Sequence, residues 1–479
     1  MRIGQTSFIV FVSKLVANAL GFLGTVYFAR ELGASVLGYY AVILALVSWL
    51  GLAANIGFSQ AITKRLSEGV EKSAYFTAGT IIVTGLGIVL SIFVLVFRDL
   101  VNSYVGVQAA VFVICLLFVS ISKGIVDSTL SGEHLVHISG ILTTLRIGGR
   151  SLIQIVLVFG GFGLVGMIGG YAIGTMLAAL VGFVFISVRF TRPRKRHFRE
   201  LYNYAKFSWL GSLESRTFND VDILVLGALV PSSLVGIYSV AWSIAKFLSL
   251  FSDSIYSTLF PELSFADAEG RNTLVTDLVT KSIAYGGLIA IPGLFGGIIL
   301  GDQLLLVYDE EFVRGAVVLP LLILATLVYG YQKLLMNAMN ALDRPDLSFR
   351  VNGIFIATNV ALNVMLVLWI GWVGAAIATV VSAVVGVLLS SWMLGQIVDY
   401  AIPLGQIGRQ LVAAVLMSIV VYGIKYVLEF TPLTDHNTVF VVLLVILGAG
   451  VYFLSLLSIS REFRTTVVAN SPVTIPFLS

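Results

Sequence analysis

The sequence predicts an all-α polytopic membrane protein of about 14 transmembrane helices, arranged as two pseudo-symmetric lobes. Three observations carry that prediction. Of the 479 residues, 58% are hydrophobic and 11% charged, with a mean hydropathy of +1.00, whereas soluble domains carry about 25% charge. Apolar stretches of bilayer length recur along the whole chain, and no polar stretch is long enough to form a separate soluble domain. The chain also repeats itself at a nearly constant offset.

Each crossing needs about 20 mostly apolar residues. On that count the spans run roughly 6–29, 36–58, 74–97, 108–127, 137–160, 164–188, 203–230, 233–260, 277–300, 315–340, 349–370, 373–395, 405–427 and 438–459. The first follows one early cation, Arg2, and reaches about Phe28, too long for a signal-peptide core. Connections are short; the longest hydrophilic ones are Arg189–Leu201, Pro261–Thr276 and Gly301–Arg314. Pro292-Gly293 and Pro320 interrupt apolar spans, where they can kink them.

Cations favour cytoplasmic loops. Lys64, Arg65, Lys72, the cluster from Arg189 to Arg199, Arg344, Arg350, Arg461 and Arg464 all fall on one side if the N-terminus is inside. The other side holds few, chiefly Arg30, Arg98 and Arg314, beside Asp309, Glu310 and Glu311. Both termini are therefore expected to be cytoplasmic. The net charge of +4 reflects this sidedness and points to no nucleic acid. The basic run Thr191–Arg199 reads as a topology anchor against anionic headgroups. Ser59–Lys72 reads as an interfacial helix tail. The single cysteine, Cys115, excludes a disulfide framework within the chain.

Ser35-Val-Leu-Gly-Tyr-Tyr40-Ala-Val recurs as Ser233-Leu-Val-Gly-Ile-Tyr238-Ser-Val, 198 residues on. Gly163-Leu-Val-Gly166 recurs as Gly371-Trp-Val-Gly374, 208 residues on. Six spans separate the copies, so the repeats share one orientation and are related by an axis along the membrane normal. This divides the chain into an N-terminal six-helix lobe (1–188), a basic cytoplasmic linker (189–202), a C-terminal six-helix lobe (203–398), and two additional helices with a short tail (399–479). Alternating access is expected to operate in a cleft between the lobes.

Gly161-Phe-Gly163-Leu-Val-Gly166 matches a dinucleotide-binding pattern, but it lies in a turn between two spans without a strand–helix unit around it. Gly166, Gly170 and Gly174, four apart, fit close helix packing instead. Glu133, His134 and His137 read as a solvated loop rather than metal ligands. No nucleophile–base pair, phosphate loop or paired catalytic carboxylate stands out, so neither an enzyme nor a cofactor is expected.

The informative residues are charges inside spans, each costing roughly 2.5–3.5 kcal/mol at mid-bilayer. Span 203–230 carries Glu214, Arg216, Asp220 and Asp222 within nine residues. Arg146 and Arg150 lie four apart on the fifth span; Lys14, Lys246, Asp253 and Lys333 lie on others. Arginine pairs suit phosphate oxygens, through bidentate charge-assisted hydrogen bonds. The candidate substrate-binding set is therefore Arg146, Arg150, Arg216, Lys246, Lys14 and Lys333. Glu214, Asp220, Asp222 and Asp253 would balance charge or carry a coupling ion. Fixed ion pairing, as Arg216 with Asp220, is the competing reading, and Lys14 and Lys333 lie where they can snorkel.

The opening Phe22-Leu-Gly-Thr-Val-Tyr-Phe-Ala-Arg-Glu-Leu-Gly33, leading into Gly38-Tyr-Tyr40, resembles the polysaccharide (Wzx-type) flippases of the MATE-like, or MOP, exporter superfamily. So does Asn219-Asp-Val-Asp222-Ile-Leu-Val-Leu-Gly227, followed by Val235-Gly-Ile-Tyr238 and Ala241. That resemblance implies two six-helix lobes around an often cationic cavity, with two further C-terminal helices. Its implied activity is flipping lipid-linked oligosaccharides, or related polyprenyl-phosphate sugars, to the outer leaflet of the cell membrane. Implied partners are that substrate, membrane lipids and, functionally, glycosyltransferases or a polymerase, around a monomer.

The physical task fits, because a sugar–phosphate headgroup is too polar to cross hydrocarbon unaided. A MATE-type cation-coupled exporter is the alternative, and it would want a net acidic cavity. A polymerase or ligase would need a large outer loop, which this sequence lacks. A non-transporting scaffold is the third alternative.

Overall fold

The computed structural model describes the backbone of residues 3–208, 210–428 and 436–470, and their side chains other than those of 3–18, 136, 207–208, 210–212, 257 and 469–470. Within those residues the regular elements are all helical, with no strand. Eleven helical runs are long and apolar enough to cross a membrane, or up to 12 if one bent pair counts as a single span. The chain packs as two compact units, Met1–Ser239 and Val240–Ser479.

The first unit opens with α1 (Ile3–Asn55), which runs through the first two predicted spans. Its helical geometry breaks at Gly33 (φ 76°, ψ 172°), where the absent Cβ permits the turn. Positive φ at Ile56 and Gly57 ends it and starts α2 (Phe58–Ser67), the amphipathic element read as an interfacial tail. There follow α3 (Lys72–Val96), the short α4 (Arg98–Val105), α5 (Ala110–Gly132), α6 (Val136–Phe159) and α7 (Gly163–Val184). The α6–α7 turn takes positive φ at Gly161 and Gly163, so these glycines shape a turn as expected. The basic linker winds into amphipathic α8 (Lys195–Ser208), whose His197, Leu201 and Ala205 are buried. Then come α9 (Leu210–Leu229) and α10 (Ser232–Phe247).

Two close approaches govern this unit. A Cβ on Gly38 of α1 would collide with the backbone of Ser232, and one on Gly236 of α10 with the backbone of Ala34. Ala34 and Gly38 are four apart, as are Ser232 and Gly236, and each pair is separated by the same 198 residues. The two sequence copies thus meet reciprocally through small residues, as in small-xxx-small crossings of membrane helices. On α7, Gly170 and Gly174 bring the backbone of α6 into contact at Gln154 and Arg150, where an added Cβ would lie 2.6 Å and 2.5 Å from the nearest atoms.

The second unit holds the rest of α10, then α11 (Leu250–Ala268), α12 (Asn272–Gly286), α13 (Ala290–Leu306), α14 (Leu319–Ala341), α15 (Pro345–Ile370), α16 (Val373–Leu394), α17 (Leu404–Leu428), α18 (Asn437–Ile459) and α19 (Arg461–Asn470). The connection expected from Pro261 is helical instead: α11 runs through Pro261 to Ala268. The break comes earlier, between α10 and α11. Pro292 sits in the first turn of α13 and Pro320 in that of α14, so both start helices after a break rather than kink one from within. Lys425 of α17 donates to the carbonyl of Ile299 and to Oε1 of Gln303, both at 3.0 Å, tying α17 to α13.

Substituting Gly38 tests the crossing of the two repeat copies. Gly38→Val should lower stability by at least ~1–3 kcal/mol, the usual cost of overpacking. Gly51→Val, at a site open to solvent or lipid on the same helix, should cost much less. Equal thermal midpoints for the two variants in detergent would remove the crossing as a packing constraint.

A polar brace ties α8 to the α2–α3 loop. Nε2 of His197 lies 2.6 Å from Glu71, Arg196 also bonds that carboxylate, and Nδ1 of His197 accepts the Arg194 amide at 2.9 Å. Nδ1 being the acceptor, Nε2 carries the proton toward Glu71. These donors, His197 first, hold the Glu71 carboxyl below its ordinary value. The brace therefore contributes fully above the unfolded carboxyl's pKa, about 4.3, and is lost as pH falls through the lower folded value. Glu71→Gln should lower the melting temperature by a constant amount from pH 7 to 5, with the difference closing in stronger acid. A difference independent of pH down to 3 would contradict it.

Candidate functional site

α6 has two dissimilar faces. Leu145, Leu152, Val156 and Phe159 are 50–83% exposed at spacings of seven, four and three, a stripe suited to acyl chains. Arg146 and Arg150 lie on the other side. Arg146 Nη1 is 3.6 Å from Asp127 Oδ2 on α5, with Lys123 Nζ 3.1 Å from the same oxygen. One turn on, the Arg150 guanidinium stacks 4.7 Å from the centroid of the Tyr171 ring on α7. Tyr171 and Arg150 are electrostatic neighbours of Tyr40, which accepts a 2.9 Å hydrogen bond from Gln154. Gln154 also donates to the Met167 carbonyl at 2.7 Å, fixing α6 against α7. The glycine ridge of α7 supplies the proximity on which this geometry depends.

The charges of α9 form a second set. Asp220 accepts a 2.5 Å hydrogen bond from Ser48 of α1 and lies 3.8 Å from Arg216, which also donates to Ser48. Asp222 is 3% exposed and accepts from the fully buried Tyr238 hydroxyl. Glu214 is likewise buried. With these four charges α9 exceeds what a lipid-facing helix tolerates, and the Ser48 and Tyr238 contacts and the Arg216–Asp220 pair satisfy three of them, Arg216, Asp220 and Asp222.

In the second unit Lys333 Nζ lies 2.6 Å from Asp253 and 5.0 Å from the Tyr256 ring centroid. Lys246 lies 5.2 Å from the Trp242 ring centroid, one turn back on α10. Lys14 falls outside the described side chains. Seven of the ten sequence-selected charges thus fall into small groups: Arg146 with Arg150; Arg216 with Asp220; Lys333 with Asp253; and Asp222 with a tyrosine. Sequence reasoning missed Lys123, Asp127, Tyr171 and Ser48. Lys123 and Asp127 were legible, since both fall in predicted span 108–127 at i, i+4 spacing. Tyr238 was visible as a repeat landmark but not as the donor to Asp222.

This all-helical bundle is the fold of the MATE-like transporters. Solved structures similar to it include one described as "Lipid II flippase MurJ, inward closed conformation" (17% identity, TM-score 0.76, covering 96% of this chain and 100% of that one). Another is an inward-facing multidrug resistance MATE family transporter (16% identity, TM-score 0.65, 80% of this chain and 95% of that one). The pattern of the family described as "Polysaccharide biosynthesis protein" matches residues 3–266, and that of MatE matches residues 215–365. The chain is also similar to the probable flippase AglR of Haloferax volcanii, at 31% identity over 97% of this chain and 98% of the relative. It is 29% identical to the probable low-salt glycan biosynthesis flippase Agl15 of the same organism, over 89% of this chain and 90% of the relative. The chain belongs to the polysaccharide biosynthesis protein family, and it is a multi-pass membrane protein.

The buried carboxylate on α9 gives the sharpest local test. Tyr238→Phe removes a donor to a buried charged group, at a cost of ~1–3 kcal/mol. Asp222→Asn keeps an oxygen for that hydroxyl and should cost less. Thermal unfolding of both variants in one detergent should rank them in that order.

Proposed function

We propose that this protein flips a lipid-linked oligosaccharide or polyprenyl-phosphate sugar from the cytoplasmic to the outer leaflet by alternating access. The observation that carries the reading is the Arg146–Arg150 pair, set on the face of α6 away from its apolar stripe. A paired guanidinium surface replaces the hydration of a phosphate, while the polyprenyl tail stays in lipid. Relatives with flippase names that match nearly the full chain support the same reading. A cation exporter is disfavoured: Lys123, Arg146 and Arg150 face a single acid, Asp127, where a cation site needs an acidic excess.

The working topology has 14 crossings. It adds to the 11 apolar runs the α10–α11 pair, a second crossing from α1 divided at Gly33, and α9. α9 is long enough to span, and its charges alone keep it from the apolar class. In this arrangement 1–188 and 203–398 are the two moving six-helix lobes and 399–479 the appended pair. Both termini are cytoplasmic, the membrane is the cell membrane, and the unit is a monomer working beside glycosyltransferases or a polymerase. Arg216, Lys246, Lys14 and Lys333 are the further cations of the substrate-binding set. Glu214, Asp220, Asp222 and Asp253 balance it or carry the coupling ion.

A strain lacking the gene should accumulate lipid-linked glycan on the cytoplasmic side and lose it from the surface. Arg146→Gln with Arg150→Gln, at unchanged protein level, should restore surface glycan at least tenfold less well than the wild type. Full restoration by that double variant would take the pair out of the site.

A further inference from the structure

Helix α5 brings two charges to the arginine pair. One oxygen of Asp127 faces both Lys123 Nζ at 3.1 Å and Arg146 Nη1 at 3.6 Å. All three side chains keep partial access: 36% for Lys123, 33% for Asp127 and 18% for Arg146. One turn further along α6, Arg150 stacks on Tyr171, and its Nε is buried with no hydrogen-bond partner among the described residues. Buried guanidinium donors normally find an acceptor. Among the described residues, three cations against one carboxylate leave two positive charges in the cluster. An oxygen set between an ammonium and a guanidinium is where a phosphate oxygen would sit.

We infer that Asp127 is an exchangeable internal anion: it pairs with Lys123 and Arg146 while the site is empty, and yields them to the phosphate or pyrophosphate oxygens of the glycan carrier. This rests on the flippase reading and adds Lys123 to the binding set. A carrier must return to its starting state without cargo. Removing one partner from a buried ion pair strands the other charge in a poor solvent. With Asp127 in place, loading trades one anionic partner for another at Lys123 and Arg146, and in neither state do those two cations lack an anion beside them. Arg150 has no such anionic partner among the described residues and is left to meet the headgroup directly. No bond is made or broken in the exchange.

The purified full chain in detergent would be titrated with inorganic pyrophosphate by calorimetry. Asp127→Asn keeps the side-chain shape and removes its charge, so it should tighten binding at least tenfold. Lys123→Gln should weaken it about tenfold, and Asp127→Glu should stay near wild type, which also guards against a fold defect in the Asn variant. In vesicles, Asp127→Asn should slow repeated turnover while the first transfer of cargo proceeds. A polyprenyl pyrophosphate should displace inorganic pyrophosphate at lower concentration; failure to do so would overturn a lipid headgroup as the ligand. Wild-type affinity in both Asp127→Asn and Lys123→Gln, with binding lost in Arg146→Gln/Arg150→Gln, would sink the exchange and leave the headgroup site standing. Intact transport in the double arginine variant would instead remove the parent reading.

Discussion

The constraint on which this structure turns is the cost of charge among apolar helices. A lone ionised group there is worth several kcal/mol against folding, so each must meet an opposite charge, a hydroxyl or an aromatic face. The chain uses all three: Asp127 for Lys123 and Arg146, Ser48 for Asp220 and Tyr238 for Asp222, and Tyr171 for Arg150. None of these partners is adjacent in sequence to the group it satisfies across helices. The polar set is thus held by helix packing, and packing by the small residues that let backbones approach. Gly174 against Arg150 is the plainest link, because any side chain there would push away the helix that carries the arginines.

Much of the fold was legible because lipid enforces a simple rule. Runs of about 20 apolar residues between short polar turns leave few alternatives, and 11 helical runs, or up to 12, are long and apolar enough to span among the described residues. The departures are physical. α11 continues past Pro261 because one lost amide hydrogen bond does not end a helix whose flanking turns are otherwise intact. Pro292 and Pro320 lie in first turns, where a missing N–H costs nothing. α1 reads as one element through Gly33, so a turn between two predicted spans became a sharp break inside a single helical run.

The site was less legible, for a reason that follows from the same rule. Sequence shows which charges are buried but not what they meet. Arg216 with Asp220 could be paired from i, i+4 spacing alone, and the 3.8 Å separation agrees. Asp127 could not be matched to Arg146 that way, because the pair joins neighbouring helices. Nor does spacing say that Lys333 and Asp253, eighty residues apart, form a 2.6 Å pair.

The two similar segments around Tyr40 and Tyr238 differ in their electrostatics. Tyr40 and Tyr238 occupy the same position in the two copies, each one turn or less from the glycine at the shared crossing. Tyr40 meets the amide of Gln154, beside the arginine cluster, whereas Tyr238 meets the carboxylate of Asp222. A neutral partner leaves the phenol near Arg150 free of net charge. A carboxylate partner stores a negative charge beside the other copy. Identical scaffolding therefore supports opposite electrostatics in the two copies. Two similar segments that cross through the same glycines while their tyrosines meet different partners have like packing and unlike charge.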